Sequence, residues 1–485
     1  METHGTLSRR TKIICTVGPA VSSRDLLLEL ARNGMNVARL NFSHGNHTDF
    51  SRTIGDLRSI EKELGRPIGI MVDVQGPKIR VGKLKNGQLL LKSGAEVFIT
   101  TDAIAGGEIN GEILIPTGYK DFVKDVGAGK TILLDDGLLS LKVTQRDSNR
   151  LRAKVIDGGV LKENKGINVP EAAFSAPSIT EKDYEDILFA LDHNADFIAM
   201  SFVRSAQEVR HLKRFIESRG KRTQVLAKIE KRDALINLES IIDASDGILV
   251  ARGDLAVEVG NERVPVLQKK IVRKCNLRGK TVIIATQMLM SMVDNPRPSR
   301  AEASDVANAI VDGTDALMLS NETAVGKFPV DSIRMMDRIV AEMEQEPTVQ
   351  QILYNEWQLD NEGQMAVALM QSAVRLASIV KANSLIVVTQ SGHSALLVSK
   401  CRPRTAVYAI TGSIETYRQL SLQWGVEVLY MEDMENLVGQ TALFEAIGQR
   451  LLALNLCRSG DRIIVTAGLP RLAHGSTNTI KLHQI

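Results

Sequence analysis

The stretch DFIAMSFVRSAQEVRHLKRFIESRGKRTQVLAKIEKRDALINLESIIDASDGILVARGDL, residues 196–255, decides the fold. It contains three short apolar runs, DFIAMSFV (196–203), QVLAKIE (224–230) and GILVARGDL (247–255), each about as long as a buried strand. The segment SAQEVRHLKRFIESR (205–219), between the first two runs, has the apolar spacing of an amphipathic helix. This order of strand, helix and strand is typical of βα units in a parallel sheet.

Five further runs of the same kind bring the number of predicted strands to eight. They are KIICTVG (12–18), NVARLNFS (36–43), IGIMVDVQ (68–75), TVIIATQM (281–288) and DALMLSNE (315–322). Another segment of helical period, SRAEASDVANAIVDG (299–313), lies between the last two. Eight such units predict an α/β protein built on a closed (β/α)₈ barrel.

The alternation fails once, where turn signals such as KNGQ, INGE and IDGG separate short runs of Val, Ile and Leu. This pattern predicts a small β-barrel domain inserted after the third strand. The alternation then resumes near the end of the chain around SLIVVTQSG, AVYAIT, VEVLYM and DRIIVTAG, which predicts a separate α/β domain. The predicted boundaries are 1–81 and 176–344 for the barrel, 82–175 for the inserted β-rich domain and 345–485 for the C-terminal domain.

The composition excludes several classes of function. With 60 basic and 57 acidic residues the formal net charge is +3, which argues against binding to nucleic acid or to a membrane. The four cysteines lie far apart without metal-ligand spacing, which is typical of a reducing cytoplasm. No stretch approaches the roughly 18–20 apolar residues of a membrane span, and the N-terminus METHGTLSRRTK has no apolar signal core. We therefore expect a soluble cytoplasmic protein.

Polar side chains recur at the carboxyl ends of the predicted strands, where barrel enzymes place their active sites. They are Arg39, Asn41, Ser43, Asp73, Lys228, Glu230, Arg252, Gly253, Asp254 and Thr286. Each residue alone is compatible with a helix cap or a surface group. The recurrence of such polar residues at five or six strand ends favours a functional site. Two carboxylates without His or Cys suit a hard cation, Mg²⁺ or Mn²⁺.

The stretch IGIMVDVQGPKIRVG (68–82) adds two cations to this set. Lys78 and Arg80 are two residues apart, so in an extended chain they point the same way and repel each other unless an anion lies between them. A solvated turn with unrelated charges is the alternative. Together with Arg39 and Lys228, these cations indicate a phosphorylated anion as ligand.

Longer motifs resemble those of pyruvate kinase over essentially the whole chain. They are TKIICTVGPA, RLNFSHG, DVQGPKIRVG, SITEKD, SFVR, KIE, VARGDLAVEV and ATQMLMSMVDNPRPSRAEASDVANAIVDGTDALMLSNETAVGKFPVDSI. Departures from the usual motifs are Ala256, Met290 and Asn321, and none removes a catalytic side chain. The resemblance implies a barrel (A domain), a mobile inserted lid (B domain) and a C-terminal effector-binding domain.

The resemblance also implies the reaction, which is phosphoryl transfer from phosphoenolpyruvate to ADP in the last step of glycolysis. Lys228 and Arg39 would stabilise the transferring group, while Glu230 and Asp254 would hold the divalent metal. The substrate carboxylate would bind the backbone at Ala251, Arg252 and Gly253, with Thr286 close to the enolate. The proton donor stays open between Thr286 and a relay that includes Ser304. The positions that match nucleotide contacts are Asn41, His44, Arg80 and Lys182, and a second divalent ion would arrive with ADP.

Most members of the family read GPEIR where this chain reads GPKIR, and they require K⁺. The K⁺ ligands would match Asn41, Ser43, Asp73 and the Val74 carbonyl. Because Lys78 replaces the Glu of this motif, we predict that its ammonium substitutes for K⁺, pairs with Asp73 and makes the enzyme K⁺-independent. The alternative is a neutral replacement that points to solvent.

The segment VVTQSGHSALLVSKCRPR (387–404) is the predicted effector site. A loop between a strand and a helix offers backbone N–H groups and hydroxyls to a phosphate, although a capped helix start is the alternative. The loop residues are Thr389, Gln390, Ser391, Gly392, His393 and Ser394. The family resemblance implies allosteric activation by a phosphorylated metabolite, with a monophosphate favoured here over a bisphosphate, and a homotetramer.

Two other functions stay open from the sequence. A metal-dependent aldolase or lyase of pyruvate uses a similar barrel and also holds an enolate on a metal. A non-catalytic sensor of sugar phosphates would use the C-terminal domain alone. The joint presence of Lys228, Glu230, Asp254 and Thr286 argues against the sensor.

Overall fold

The computed structural model describes residues 9–172, 174–346, 357–359, 361–436, 440–468 and 477–485. The strands in chain order are β1 (Lys12–Val17), β2 (Met35–Asn41), β3 (Gly69–Asp73), β4 (Gln88–Leu91), β5 (Glu96–Thr100), β6 (Gly107–Ile109), β7 (Glu112–Pro116), β8 (Thr131–Leu134), β9 (Leu139–Arg146), β10 (Arg150–Asp157), β11 (Gly159–Lys162), β12 (Ile167–Asn168), β13 (Phe197–Met200), β14 (Gln224–Ile229), β15 (Gly247–Ala251), β16 (Thr281–Ala285), β17 (Ala316–Leu319), β18 (Ser384–Val388), β19 (Ala406–Thr411), β20 (Val426–Tyr430), β21 (Arg462–Ala467) and β22 (Thr479–Gln484).

The helices alternate with these strands. They are α1 (Arg24–Arg32), α2 (His47–Leu64), α3 (Phe122–Asp125), α4 (Glu181–Asp192), α5 (Ala206–Ser218), α6 (Arg232–Ile236), α7 (Leu238–Ala244), α8 (Arg252–Val259), α9 (Val264–Leu277), α10 (Arg300–Val311), α11 (Asn321–Ala324), α12 (Pro329–Gln345), α13 (Asn361–Ile379), α14 (His393–Lys400), α15 (Ile414–Gln419) and α16 (Gln440–Ala453). Among the described residues, no helix is long and apolar enough to cross a membrane.

The predicted parallel barrel is confirmed. Its strands close in the order β1-β17-β16-β15-β14-β13-β3-β2, and each pairs in parallel with both neighbours. Every residue of β3, β13, β15, β16 and β17 is buried, because helices cover the outside of the barrel and side chains fill its interior. This burial explains why each strand is a continuous apolar run in the sequence.

Capping boxes begin three of the barrel helices near the carboxyl ends of the strands. The side chains of Thr180, Ser205 and Ser299 accept the N–H of the third helical residue, and the acidic side chain at that position accepts the N–H of the cap residue. Each reciprocal pair satisfies two backbone donors that would otherwise lack a partner. The caps therefore fix where the chain leaves the face that carries the predicted site.

The inserted segment, predicted as a small β-barrel domain, forms a small β-domain made of two sheets. Seven strands form a sheet in the order β12-β8-β9-β10-β5-β7-β6, and β11 pairs with β4 in a two-stranded ribbon. One hydrophobic core, which includes Phe122, Leu141 and Val155, lies inside this domain. We call the domain the lid, and its exact boundaries stay a prediction.

The C-terminal domain is the predicted α/β unit, with strand order β20-β19-β18-β21-β22. It packs against the amino ends of the barrel strands through a buried polar cluster. Lys400 at the end of α14 is an ion-pair partner of Asp315, which directly precedes β17, and also donates to Asn276 Oδ1 at 2.7 Å. Arg402 lies 3.0 Å from the other oxygen of Asp315 and stacks 4.5 Å from the ring of Trp424. The two domains therefore share a charged core.

Candidate active site

Lys228 lies at the centre of the predicted site. It is the fifth residue of β14, and its ammonium is 2.9 Å from Glu230 Oε1, 3.2 Å from Asp73 Oδ1 and 2.8 Å from Ser201 Oγ. Burial alone would lower the pKa of this ammonium, but the carboxylates of Asp73 and Glu230 outweigh burial and raise the pKa. Lys228 is therefore a fixed, permanently charged group at the carboxyl end of the barrel.

Asp73 ends β3 and joins the two predicted phosphate-binding cations. Its Oδ2 lies 2.8 Å from Nε of Arg39, and the same guanidinium donates to Thr16 Oγ1 at 2.9 Å. Burial would raise the pKa of the Asp73 carboxyl, but Lys228 and Arg39 lower it below the ordinary value of 3.8. The carboxylate therefore stays ionised and orients both cations.

Glu230 and Asp254 are the predicted metal ligands, and the structure places them close enough to interact electrostatically. Glu230 follows β14 directly, is 1 % exposed and accepts the N–H of Phe202 at 2.7 Å. Burial raises the pKa of Glu230, Lys228 opposes this rise, and the charge of Asp254 adds to it. A divalent cation between two such carboxylates would relieve their repulsion, so this donor set fits Mg²⁺ or Mn²⁺.

The partner of Lys78 differs from the prediction. Its ammonium lies 3.7 Å from Oδ1 of Asp254, and the side chains of both residues are 29 % exposed. The predicted pair with Asp73 is wrong, because among the described residues Asp73 forms its ion pairs with Arg39 and Lys228. Lys78 thus adds a positive charge beside a predicted metal ligand.

The other positions predicted for the monovalent ion are engaged within the protein. The Val74 carbonyl accepts a hydrogen bond from Ser201 Oγ at 2.7 Å, and Oδ1 of Asn41 accepts the N–H of Ser43 at 3.2 Å. The hydroxyl of Ser201 therefore links the Val74 carbonyl to Lys228. Sequence reasoning missed Ser201, although it is the first polar residue after the buried run of β13.

Thr286 follows β16 in a strained conformation. Its φ is +70° and that of Gln287 is +56°, values that L residues rarely adopt and that a β-branched residue adopts least readily. The guanidinium of Arg252 donates to the Thr286 carbonyl at 2.9 Å and is itself held by Asp305 at 2.6 Å. Asp305 was not predicted, since nothing in the sequence of α10 marks it. Arg252 and Asp305 therefore position the loop that presents Thr286.

The predicted carboxylate-binding backbone lies at the start of α8. Ala251 is the last residue of β15, and Arg252 and Gly253 begin the helix, so their N–H groups lack partners within it. The N–H of Gly253 donates to Thr286 Oγ1 at 2.8 Å. A substrate carboxylate at this position would compete with the threonine hydroxyl for that donor.

The predicted nucleotide-binding residues lie around the mouth of the barrel. His44 is exposed after β2, and Arg80 donates to the carbonyl of Asn164 in the lid at 3.0 Å. Lys182 lies 2.5 Å from Asp186, a buried carboxylate that also accepts from His47 at 2.8 Å. Asp186 was not predicted from the sequence and orients the Lys182 ammonium.

The predicted effector loop connects β18 with α14. Gly392 has a φ of +84°, and its N–H donates to Thr389 Oγ1 at 3.0 Å. The hydroxyl of Ser394 is 2.5 Å from Thr477 Oγ1, while Thr416 donates to the Gln390 carbonyl at 2.6 Å. Ser391 is exposed at the tip, and His393 is the first residue of the helix. These contacts fix the loop and leave its effector role a prediction.

A closed parallel barrel with a buried ammonium, two neighbouring carboxylates and further cations at the carboxyl ends of its strands defines a barrel enzyme that acts on an anionic substrate. The family models for the barrel domain and for the alpha/beta domain of pyruvate kinase match residues 8–333 and 367–483.

Individual relatives agree with this match. The pyruvate kinase of Sporosarcina psychrophila is 42% identical over 482 residues, which are 98% of this chain and 80% of that relative. The pyruvate kinase of Geobacillus stearothermophilus is 42% identical over 484 residues, which are 99% of this chain and 81% of that relative. The crystal structure of a pyruvate kinase from Cryptosporidium parvum superposes with a TM-score of 0.89 at 36% identity, covering 98% of this chain and 96% of that one. The chain belongs to the pyruvate kinase family, phosphotransferases that act on phosphoenolpyruvate and ADP and use a divalent metal.

Proposed function

We propose that Lys228 is the group on which phosphoryl transfer depends in this chain. The observation that carries the proposal is its ammonium, which is buried and lies between the carboxylates of Asp73 and Glu230 at distances of 3.2 and 2.9 Å. The transferring phosphoryl group spreads negative charge over its oxygens, so a preorganised cation stabilises the transition state without any covalent step. Arg39, fixed by the same Asp73, adds a second cation.

Glu230 and Asp254 would hold the divalent metal, which we take to be Mg²⁺ or Mn²⁺. When bound, it supplies positive charge to substrate oxygens. The N–H groups of Ala251, Arg252 and Gly253 would bind the substrate carboxylate, and Thr286 would then release its hydrogen bond from Gly253. The Thr286 hydroxyl, which donates to the Ala285 carbonyl at 2.6 Å, would lie next to the enolate, where protonation completes the reaction.

The direct test is ATP formation from phosphoenolpyruvate and ADP by the purified protein, with Mg²⁺ or Mn²⁺ and after chelation. Pyruvate and ATP should appear in equal amounts, and both should vanish with chelator. An aldolase or lyase of pyruvate would instead cleave or form a carbon–carbon bond without ADP, and product analysis separates these reactions. ATP formation no greater than that of Lys228→Met would contradict the proposal.

We also propose that the enzyme needs no K⁺, because Lys78 supplies a fixed monovalent charge. Support comes from the Lys78 ammonium, 3.7 Å from Asp254, which places a permanent cation at the mouth of the barrel. The enzyme should be fully active with bulky organic cations alone, and Lys78→Glu should become K⁺-dependent. Strong activation of the wild type by about 100 mM K⁺, against an ionic-strength-matched control, would contradict the idea.

The nucleotide roles of Asn41, His44, Arg80 and Lys182, the effector role of the 389–394 loop and a homotetrameric assembly complete the proposal. The nucleotide role of Lys182 is supported by its contact with Asp186, which holds the Lys182 ammonium at the mouth of the barrel. The assembly is tested by light scattering at micromolar concentration, where a monomer would contradict it.

A further inference from the structure

The lid contacts the barrel through a buried polar cluster that the proposed chemistry does not use. Asn168 of β12 donates from Nδ2 to Oε1 of Glu258 at 3.3 Å, and the ammonium of Lys231 lies 2.6 Å from the same oxygen. Asn168 belongs to the lid, whereas Lys231 and Glu258 belong to the barrel. Oε1 of Glu258 therefore connects α8 with the segment after β14 and with β12 of the lid.

The ion pair of Lys231 and Glu258 is largely buried and is not a surface contact. The side chain of Glu258 is 2 % exposed and that of Lys231 is 19 % exposed. The Lys231 ammonium also lies 6.0 Å from the ring centre of Phe174, near the end of the lid, and 5.7 Å from that of Phe202. Removing two charges from water is costly, so such a pair persists where its geometry is fixed by its surroundings.

Both members of the pair lie next to a proposed metal ligand. Lys231 directly follows Glu230, and Glu258 is four residues after Asp254 on α8, so the two carboxylates of α8 share one helix face. Phe202, beneath the Lys231 ammonium, donates its N–H to Glu230 at 2.7 Å. The ion pair thus ties the end of β14 to α8 one helical turn from the site.

We propose that Lys231 and Glu258 form a clamp that sets the separation of the two metal-ligand segments and on which the lid docks through Asn168. The clamp deepens the proposed function, since it rests on the roles of Glu230 and Asp254. Lys231 and Glu258 are positioning residues, because they act through their neighbours. Glu258 also neutralises the Lys231 ammonium, which would otherwise repel a divalent cation at Glu230.

The experiment measures direct Mn²⁺ binding by electron paramagnetic resonance, without substrates, on the full-length protein. Glu258→Gln keeps the side-chain volume but leaves the Lys231 charge uncompensated, so the Mn²⁺ Kd should rise about tenfold. The double variant Lys231→Met with Glu258→Gln removes the uncompensated charge but also the clamp, so its Kd should stay at least about threefold above that of the wild type. Lys213→Met is the matched control, because it breaks a Lys–Asp pair of 2.7 Å elsewhere in the barrel.

Hydrogen exchange measures the lid contact independently of the metal. Asn168→Ala should increase exchange in residues 166–169 at least about fivefold, while Lys213→Met should leave it unchanged. An unchanged Mn²⁺ Kd in Glu258→Gln, or a double variant that binds Mn²⁺ as tightly as the wild type, overturns the clamp. Glu230→Gln is measured in parallel: if it too leaves the Kd unchanged, the assigned metal ligands are wrong, and if it alone weakens binding, only the clamp is wrong.

Discussion

Replacing Lys228 by Met tests the centre of the proposed mechanism. Methionine keeps an unbranched apolar stem but removes the ammonium and its contacts with Asp73, Ser201 and Glu230. Loss of one preorganised donor to a developing charge costs about 3–4 kcal/mol in known enzymes. Because Lys228 supplies a full buried charge, we expect kcat to fall by at least about 10³-fold.

The same change disturbs the fold, and this effect has to be separated from catalysis. Breaking a buried ion pair costs about 3–5 kcal/mol, since the remaining charge stays buried. Asp73 keeps Arg39, and Glu230 keeps the N–H of Phe202, which limits the loss. The control Lys213→Met removes an ion pair whose side chains are 31% and 26% exposed, so it should cost no more than about 1 kcal/mol.

The free energy of unfolding is measured first, to show that each variant is folded. ATP formation is then measured at saturating concentrations of both substrates. Lys228→Met should lose turnover while the KM for phosphoenolpyruvate changes less than about tenfold, because the charge acts mainly in the transition state. The control should keep wild-type kcat. A folded Lys228→Met variant with a loss of kcat below about tenfold would refute the reasoning.

Three further predictions follow from the site and the effector loop. Glu230→Gln and Asp254→Asn should each raise the Mg²⁺ concentration for half-maximal activity by at least about tenfold, and superimposable metal titrations would place the cation elsewhere. Asp73→Asn should lower the free energy of unfolding at pH 7 by about 3–5 kcal/mol, because the buried Lys228 and the partly buried Arg39 lose the carboxylate that they share. The folded-state pKa of Asp73 is depressed, so its contribution is present above pH 3.8 and is lost as the pH falls through the lower folded value. Urea unfolding at pH 7 and below pH 3.8 should therefore show the difference between wild type and variant shrinking in acid, and a constant difference would contradict this. Thr389→Ala combined with Ser394→Ala should abolish activation by phosphorylated metabolites, since one hydroxyl follows β18 and the other lies in the first turn of α14; an unaltered response to every such activator would refute the assignment.

The barrel strands were predictable because a parallel strand covered on both faces is a continuous apolar run, which is a local signal. The last strand, β22, was not predicted. It pairs antiparallel with β21 and none of its six residues is buried, so its sequence TIKLHQ lacks an apolar run. Edge strands of this kind depend on a partner strand that the local sequence does not reveal.

The site was predictable as a set of residues but not as a set of pairs. Lys228, Glu230, Asp73 and Arg39 converge as expected, since the carboxyl ends of parallel strands meet at one face. The prediction that Lys78 pairs with Asp73 was wrong, because the choice between Asp73 and Asp254 depends on distances across the barrel. Lys78 pairs with Asp254 because Arg39 and Lys228 already lie closer to Asp73.

The charged contact between α14 and the base of the barrel bears on how such a protein could lose or exchange its C-terminal domain during evolution. A barrel deprived of that domain would keep Asp315 bonded to the N–H of Val282 but without Lys400 and Arg402. The detached domain would carry both cations on an uncovered apolar surface. A shortened descendant would therefore either expose Asp315 to water or keep its charge buried without a cation, and in the second case a replacement at Asp315 would have to accompany the loss of the domain.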